Sequence, residues 1–522
     1  MRVPCDEASI RSAAAEAPCA ANARTWILAA TILGSSMAFI DSTVVNVALP
    51  AIQANFHATM VDMQWVVEAY GLYLSALILA GGSLGDLRGR RLIFIIGVVV
   101  FALASFGCGA AANIHQLIIS RSIQGVGAAL LVPGSLAIIS SSFDEKIRGA
   151  AIGTWSGFTA ITTAIGPVLG GWLVQHASWR WAFFINLPLA GAVIIISFWR
   201  IPESRSARAR HIDWLGAVLA TLGLAGLVYG FIESVNLGWR NPRILETLIG
   251  GFACLIAFAV VEDKMASPMV PFALFKSRAF SGANLLTLFL YSAIGIFFFL
   301  FPLNLIQVQR YSATAAGAAM LPLILLMFLL SRWSGGLVAH YGSRLPLIIG
   351  PFIVALGFVL FAVPSVTDNY WKTFFPAIIV LGLGMAITIA PLTTVVMNSV
   401  DQDRVGTASG INNAVARVAG VLAIAVLGIV MVKTFASRLD RGLTGLELPP
   451  NVVQEIHSNE TKLAGLQLPS GGLHPSTKAA IQELIGRAFV FGFRIILLIC
   501  AALSLASAAV AWLMIPAKAL FS

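Results

Sequence analysis

Fourteen stretches of mostly apolar residues, each about the length needed to cross a bilayer, divide this 522-residue chain. A helix rising 1.5 Å per residue needs about 20 such residues to span the hydrocarbon core. The stretches lie near 26–49, 63–84, 92–112, 115–139, 149–174, 180–199, 213–233, 244–262, 280–306, 314–338, 345–364, 373–398, 407–432 and 490–515. In lipid every backbone polar group must be satisfied internally, so the chain is left with helices or a closed barrel. The stretches are continuous and lack the alternation of lipid-facing strands, which excludes the barrel. Composition agrees: 58% of residues are hydrophobic and 11% charged, against about 25% charged in soluble domains. The fold expected is an all-α polytopic membrane protein. The first stretch exceeds the core of a signal peptide and others follow it, so no cleaved leader is expected.

The formal charge of +10 comes from basic residues scattered among short loops, without the long basic run that would suggest nucleic acid. With the N-terminus inside, one set of loops collects Arg88, Arg90, Arg91, Lys146, Arg148, Arg200, Arg205, Arg208, Arg210, Lys264, Lys276, Arg278, Arg344 and Arg404. The other short loops hold Arg180, Arg240, Arg243, Arg310 and Lys372. The positive-inside rule then places both termini in the cytoplasm and the polar segment 433–489 outside. The helical apolar spacing from Pro475 to Phe489 suggests a piece lying on the membrane surface. Cys108, Cys254 and Cys500 fall in apolar stretches and Cys5 and Cys19 near the N-terminus, a pattern expected to stay reduced.

A repeat is visible at an offset of about 253 residues. Gly82-Ser83-Leu84 and Gly89-Arg90-Arg91 recur as Gly335-Gly336-Leu337 and Gly342-Ser343-Arg344. Gly153 and Ser156-Gly157 recur as Gly406 and Ser409-Gly410. The organisation expected is a tail (1–25), a six-helix half (26–200), two inserted helices with their loops (201–279) and a second six-helix half (280–522). Repeated halves with a site at their interface are the build of secondary transporters.

Charged residues in a hydrocarbon core are costly and mark ion or substrate paths. Asp41 opens a polar cluster with Ser42, Thr43 and Asn46 in the first stretch. Glu68 shares a helical face with Gln64, Gly71 and Ser75, and Arg121 with Gln124, Gly125 and Ala128. A buried carboxyl suits proton coupling, because burial and exposure move its proton affinity in opposite directions. Asp41, Glu68 and Arg121 are therefore candidates for coupling, with Asn46, Gln64 and Gln124 as cavity candidates; structural pairing is the competing reading. Arg417 and Arg494 are the charges to follow in the second half. Between the second and third stretches, Gly82, Asp86, Arg88, Gly89, Arg90 and Arg91 form a loop in which Asp86 could act as a breakable latch, or the charges could simply set topology. Gly166, Gly170 and Gly171 let helices approach closely, and Pro167 interrupts the backbone ladder.

Enzyme-like patterns fail on context. Gly81-Gly82-Ser83-Leu84-Gly85 matches a nucleophile elbow but ends a membrane stretch rather than following a strand. His57 and Asp62 have a spacing that chance supplies. There is no phosphate-binding loop, HExxH or Cys/His cluster, so no cofactor, metal or direct ATP drive is expected.

These motifs together resemble the major facilitator superfamily. The segment from Gly82 to Arg91 is similar to its signature loop. Asp41-Ser42-Thr43-Val44-Val45-Asn46-Val47-Ala48-Leu49-Pro50 resembles the first-helix motif of the fourteen-helix drug:proton antiporter branch (EmrB/QacA type), with Ile40 where leucine is usual. Arg121 to Ala129 resembles the fourth-helix motif tied to proton coupling, and Gly166-Pro167-Val168-Leu169-Gly170-Gly171 the antiporter motif of the fifth. Trp179 to Pro188 completes the set. Thr162 stands where the antiporter motif usually begins with glycine, Ala339 occupies the second-half position matching Asp86, and Glu68 replaces a small hydroxyl residue common in relatives. The resemblance implies a proton-coupled exporter of amphipathic drug-like compounds in the cytoplasmic membrane, with small molecules, protons and lipid as its partners. A dedicated metabolite exporter is the alternative, and a membrane-embedded enzyme or transport-dead sensor a remote one. Whether a membrane-fusion protein accompanies it is left open by the residues.

Overall fold

The computed structural model describes residues 21–143, 145–205, 213–265, 268–366, 369–400, 404–444, 446, 448–468 and 474–517. Cys5, Cys19, Arg208, Arg210 and most of the N-terminal tail lie outside them. Among the described residues there is no strand, and fourteen helices are long and apolar enough to cross a membrane. They are α1 (Ala23–Phe56), α2 (Met60–Arg88), α3 (Arg90–Ala110), α4 (Ile114–Ser142), α5 (Ala151–His176), α6 (Trp181–Arg200), α7 (Trp214–Leu237), α8 (Pro242–Lys264), α9 (Arg278–Val308), α10 (Ala313–Ser331), α11 (Arg344–Phe361), α12 (Phe374–Asn398), α13 (Thr407–Leu443) and α14 (Pro475–Met514). Each matches a stretch expected from sequence, including the two inserted ones.

The helices fall into two compact units. The first holds residues up to Val45, Ala69–Gly226 and Gly250–Phe272; the second holds Asn46–Glu68, Leu227–Ile249 and Ala273–Ser522. α1, α2, α7 and α8 thus contribute to both.

In the first unit α5 lies against α1 through glycine. A side chain at Gly166 would run into the Thr43 hydroxyl, and one at Gly170 would stand 2.8 Å from Val44 Cγ1. In the second unit the close approach recurs between α9 and α13. A Cβ on Gly295 would lie 2.7 Å from Gly420 Cα. Both residues fall within one position of the 253-residue offset from Thr43 and Gly166. The second unit is filled by an aromatic core in which Phe297 contacts Phe301, Phe358 and Phe361 at centroid distances of 4.9–5.6 Å.

The polar segment before the last helix is shorter than the sequence suggests. α13 continues to Leu443 and α14 starts at Pro475. Between them stand a short helix at Pro450–Ser458 and a 3-10 turn at Glu460–Gly465. Pro475–Phe489, expected as a separate surface piece, is the opening of a single 40-residue helix. The reason is phase. Ile481, Ile485, Ala488 and Phe489 are buried, and their stripe runs without a break into Gly492, Phe493 and Ile496. At 1.5 Å per residue this helix is about 60 Å long, twice the hydrocarbon thickness.

Candidate functional site

Three residues that the sequence singles out converge in the first unit. α1 supplies Asp41, and α4 supplies Arg121 and, one turn on, Gln124; all three are at most 1% exposed. Arg121 Nη1 donates to Asp41 Oδ2 at 2.5 Å and to Gln124 Oε1 at 2.6 Å. Gln124 Nε2 returns a bond to Asp41 Oδ1 at 2.8 Å and reaches Ser105 Oγ of α3 at 2.6 Å. Asn186 of α6 donates to the same Ser105 oxygen at 3.0 Å and to Asp41 Oδ1 at 3.5 Å. The guanidinium carbon of Arg121 also lies 4.3 Å from the centre of the Tyr70 ring. Four helices are thus joined by one carboxylate and one guanidinium, and each charge is compensated. A charge-assisted bond of this kind is about twice as strong as a neutral one. Gln124, a cavity candidate by sequence, takes part in this network through both its amide oxygen and its amide nitrogen. Ser105 and Asn186 were missed: both are uncharged, and Asn186 shows in the sequence only as part of the Trp179–Pro188 motif.

The small residues of α5 press this cluster from α1's far side. Gly166, Pro167, Gly170 and Gly171 are buried, and Gly166 and Gly170 abut Thr43 and Val44, two and three residues beyond Asp41. Gly166→Ala is therefore expected to destabilise the protein by about 1–3 kcal/mol, the usual cost of overpacking. Thr43→Ala, which removes the clashing hydroxyl, should recover part of the loss. Gly153→Ala places its methyl in open space and should be neutral or stabilising, since alanine is the better helix former by about 1 kcal/mol. Thermal unfolding of the variants in one detergent checks the contrast.

Glu68 behaves differently. It is 1% exposed, and neither carboxyl oxygen has a hydrogen-bond partner. Gln64, one turn earlier on α2, donates to the Ile424 carbonyl of α13 at 2.7 Å, and its own Oε1 has no partner. Between them, Trp65 donates to Glu233 of α7 at 2.8 Å, which ties an inserted helix to α2. Asn46 is half-buried on α1.

The stretch from Gly82 to Arg91, expected as a loop, is helical except at one residue: α2 runs to Arg88, α3 starts at Arg90, and the turn is made at Gly89 alone. Asp86, in the last turn of α2, is held by its near neighbour Arg90. Arg90 Nε and Nη2 lie 2.8 and 2.7 Å from Asp86 Oδ1. Gly89 has φ +129°, a backbone that L side chains rarely adopt, and a Cβ there would collide with Glu203. Glu203, following α6, accepts from the Arg91 and Leu92 amides at 3.1 Å each. It caps α3 where the helix dipole favours negative charge. Arg91 completes the clamp by donating to the Ile201 carbonyl at 2.9 Å. Gly82 is half-buried and Arg88 is exposed. Glu203 was missed because nothing in the sequence brings a loop residue back 112 positions.

Of the second-half charges, Arg494 donates to the Val363 and Pro364 carbonyls at 3.1 Å each, just beyond the end of α11. Arg417 is half-buried on α13. Asn412 of α13 bridges Asn284 and Thr287 of α9 at 3.1 and 2.8 Å.

The family model described as Major Facilitator Superfamily matches residues 31–424. The chain is 32% identical over 487 residues to the multidrug resistance protein Stp of Mycobacterium tuberculosis, covering 91% of this chain and 89% of that protein. It is 31% identical over 494 residues to the tetracenomycin C resistance and export protein of Streptomyces glaucescens, covering 94% and 91%. Among solved structures, an inward-facing, occupied bacterial homologue of the human lysosomal transporter Spinster superposes with TM-score 0.65 at 17% identity, covering 95% of this chain and 97% of that one. The polar network, the fourteen spans and these matches agree, and the chain belongs to the Major Facilitator Superfamily as a multi-pass membrane transporter of small molecules.

Proposed function

We propose that this chain is a proton-coupled antiporter that exports amphipathic, drug-like compounds across the cytoplasmic membrane. Its relatives bear names of multidrug resistance, of tetracenomycin C export and of puromycin resistance, which supports the substrate class. Alternating access is carried by two six-helix halves, 26–200 and 280–522, with the inserted pair within 201–279. Both termini face the cytoplasm, a reading that the distribution of Lys and Arg supports.

The observation that carries the coupling is the contrast between two buried carboxyls. Asp41 accepts from Arg121, Gln124 and Asn186, so its environment changes only if α1, α4 and α6 shift against each other. Glu68 has neither oxygen committed to a donor, which makes it the group better placed to take up and give back a proton. Arg121 keeps the network compact and tunes the carboxylate it touches. Asp86 and Arg90 act as the gate at the junction of α2 and α3, with Glu203 holding the start of α3. Asn46 and Gln64 contribute polar contacts to substrate.

The test is transport in inverted membrane vesicles with an imposed pH gradient and a panel of antibiotics and cationic dyes. Several unrelated compounds should move, and a protonophore should stop them. Movement of one compound alone would instead indicate a dedicated exporter. No gradient-driven movement of any compound would sink the reading.

A further inference from the structure

Outside the Asp41 network, two carboxyls meet at one end of the inserted helices. Asp213 directly precedes α7 and caps it, its Oδ1 accepting from the Gly216 amide at 2.7 Å. Glu262 stands in the last turn of α8, and its Oε2 accepts from the Val270 amide at 3.1 Å. Each carboxyl therefore has one oxygen satisfied. The other two, Asp213 Oδ2 and Glu262 Oε1, are buried without a hydrogen-bond partner. They converge on one small space beside Gly216. Both crowd the point where a Gly216 side chain would stand, Glu262 Oε1 at 2.8 Å and Asp213 Oδ2 closer still. The residues are 3% and 1% exposed, too little for bulk water to serve as the donor.

Ionised carboxylate oxygens are acceptors only, so two in contact repel unless a hydrogen lies between them. We propose that Asp213 and Glu262 share one proton, and that this acid–carboxylate clasp joins the start of α7, the end of α8 and the connector at Val270. The connector leads through a short 3-10 turn at Phe272–Lys276 to α9. Glu262 ends α8, where the helix dipole disfavours negative charge. On its own helix the flanking charges are Asp263 and Lys264, both exposed. Facing it from the packed segments are Asp213 and the Val270 amide, and among the described residues no cation forms an ion pair with it. Loss of the proton sets two negative charges against each other and frees the connector. The clasp is thus a proton-binding site that responds to pH independently of the transported compound.

Infrared spectroscopy and thermal unfolding of the full chain in detergent test this, and neither readout depends on transport. The folded chain holds one proton more than the unfolded chain, so its stability should fall as pH rises from mildly acidic to mildly alkaline. Glu262→Gln supplies a permanent donor, and should flatten that fall while removing one protonated-carboxyl band from the spectrum. Asp213→Asn, which can still cap α7, should do the same and serves if the first variant does not accumulate. Equal pH responses in wild type and variant would overturn the clasp. So would a wild-type spectrum in which no protonated-carboxyl band bleaches at alkaline pH. Stabilisation of the wild type alone by added Na⁺, Mg²⁺ or Ca²⁺ would mean that a metal ion, not a proton, joins the pair, and would also overturn it.

Discussion

Asp41→Asn is expected to abolish gradient-driven efflux and to lower thermal stability together. Arg121 is 1% exposed and its closest anionic partner is the carboxylate 2.5 Å away. Removing one member of a buried pair costs about 3–5 kcal/mol, because the other is left as an uncompensated charge. Asparagine keeps an oxygen that can still accept from Arg121 or Gln124, so the loss should fall near the lower end of that range. The double variant Asp41→Asn with Arg121→Gln removes both charges and should recover stability without recovering transport. That combination separates a structural pair from a working one. Recovery of both properties in the double variant would make the network structural. Wild-type efflux by Asp41→Asn at equal expression would remove Asp41 from the mechanism.

The spans were legible because lipid imposes a single demand, an unbroken run of apolar residues long enough to cross. Where a helix leaves the membrane that demand stops, and legibility stops with it: α13 and α14 extend to Leu443 and Pro475, well into the segment 433–489 that polarity alone marks as loop. Asp41 and Arg121 were legible for the same reason as the spans, since a charge among apolar residues stands out. Their contact was not, because which face of α1 meets which face of α4 is settled by packing, here by glycines such as Gly166 that let α5 press on α1. Uncharged partners such as Ser105 and Asn186 carry no comparable signal in a membrane helix. Asp213 and Glu262 sit at span ends, where acidic residues are ordinary, and only the fold brings their unpartnered oxygens together. Glu203 is the extreme case, a loop residue whose role depends on a return from the end of α6 to the start of α3.

Glu68→Gln should separate coupling from folding in the opposite direction to Asp41→Asn. Both Glu68 oxygens are buried without a partner, so the substitution breaks no hydrogen bond and removes the cost that arises whenever the carboxyl gives up its proton in apolar surroundings. Stability should therefore be unchanged or raised by about 1 kcal/mol, on the scale of a single hydrogen bond. Gradient-driven efflux should nevertheless fall at least tenfold, because glutamine cannot release a proton. Substrate-for-substrate exchange across the same vesicles should persist, since the conformational change itself needs no titrating group and shifts only with differential binding. The comparison is internal: one protein, two carboxyls, one measured for stability and transport against the other. If Glu68→Gln retains wild-type efflux under a pH gradient, the transported proton does not ride on Glu68. If exchange is lost along with efflux while the fold survives, Glu68 serves substrate rather than the proton, and compounds bearing a basic amine should show the loss before neutral ones do.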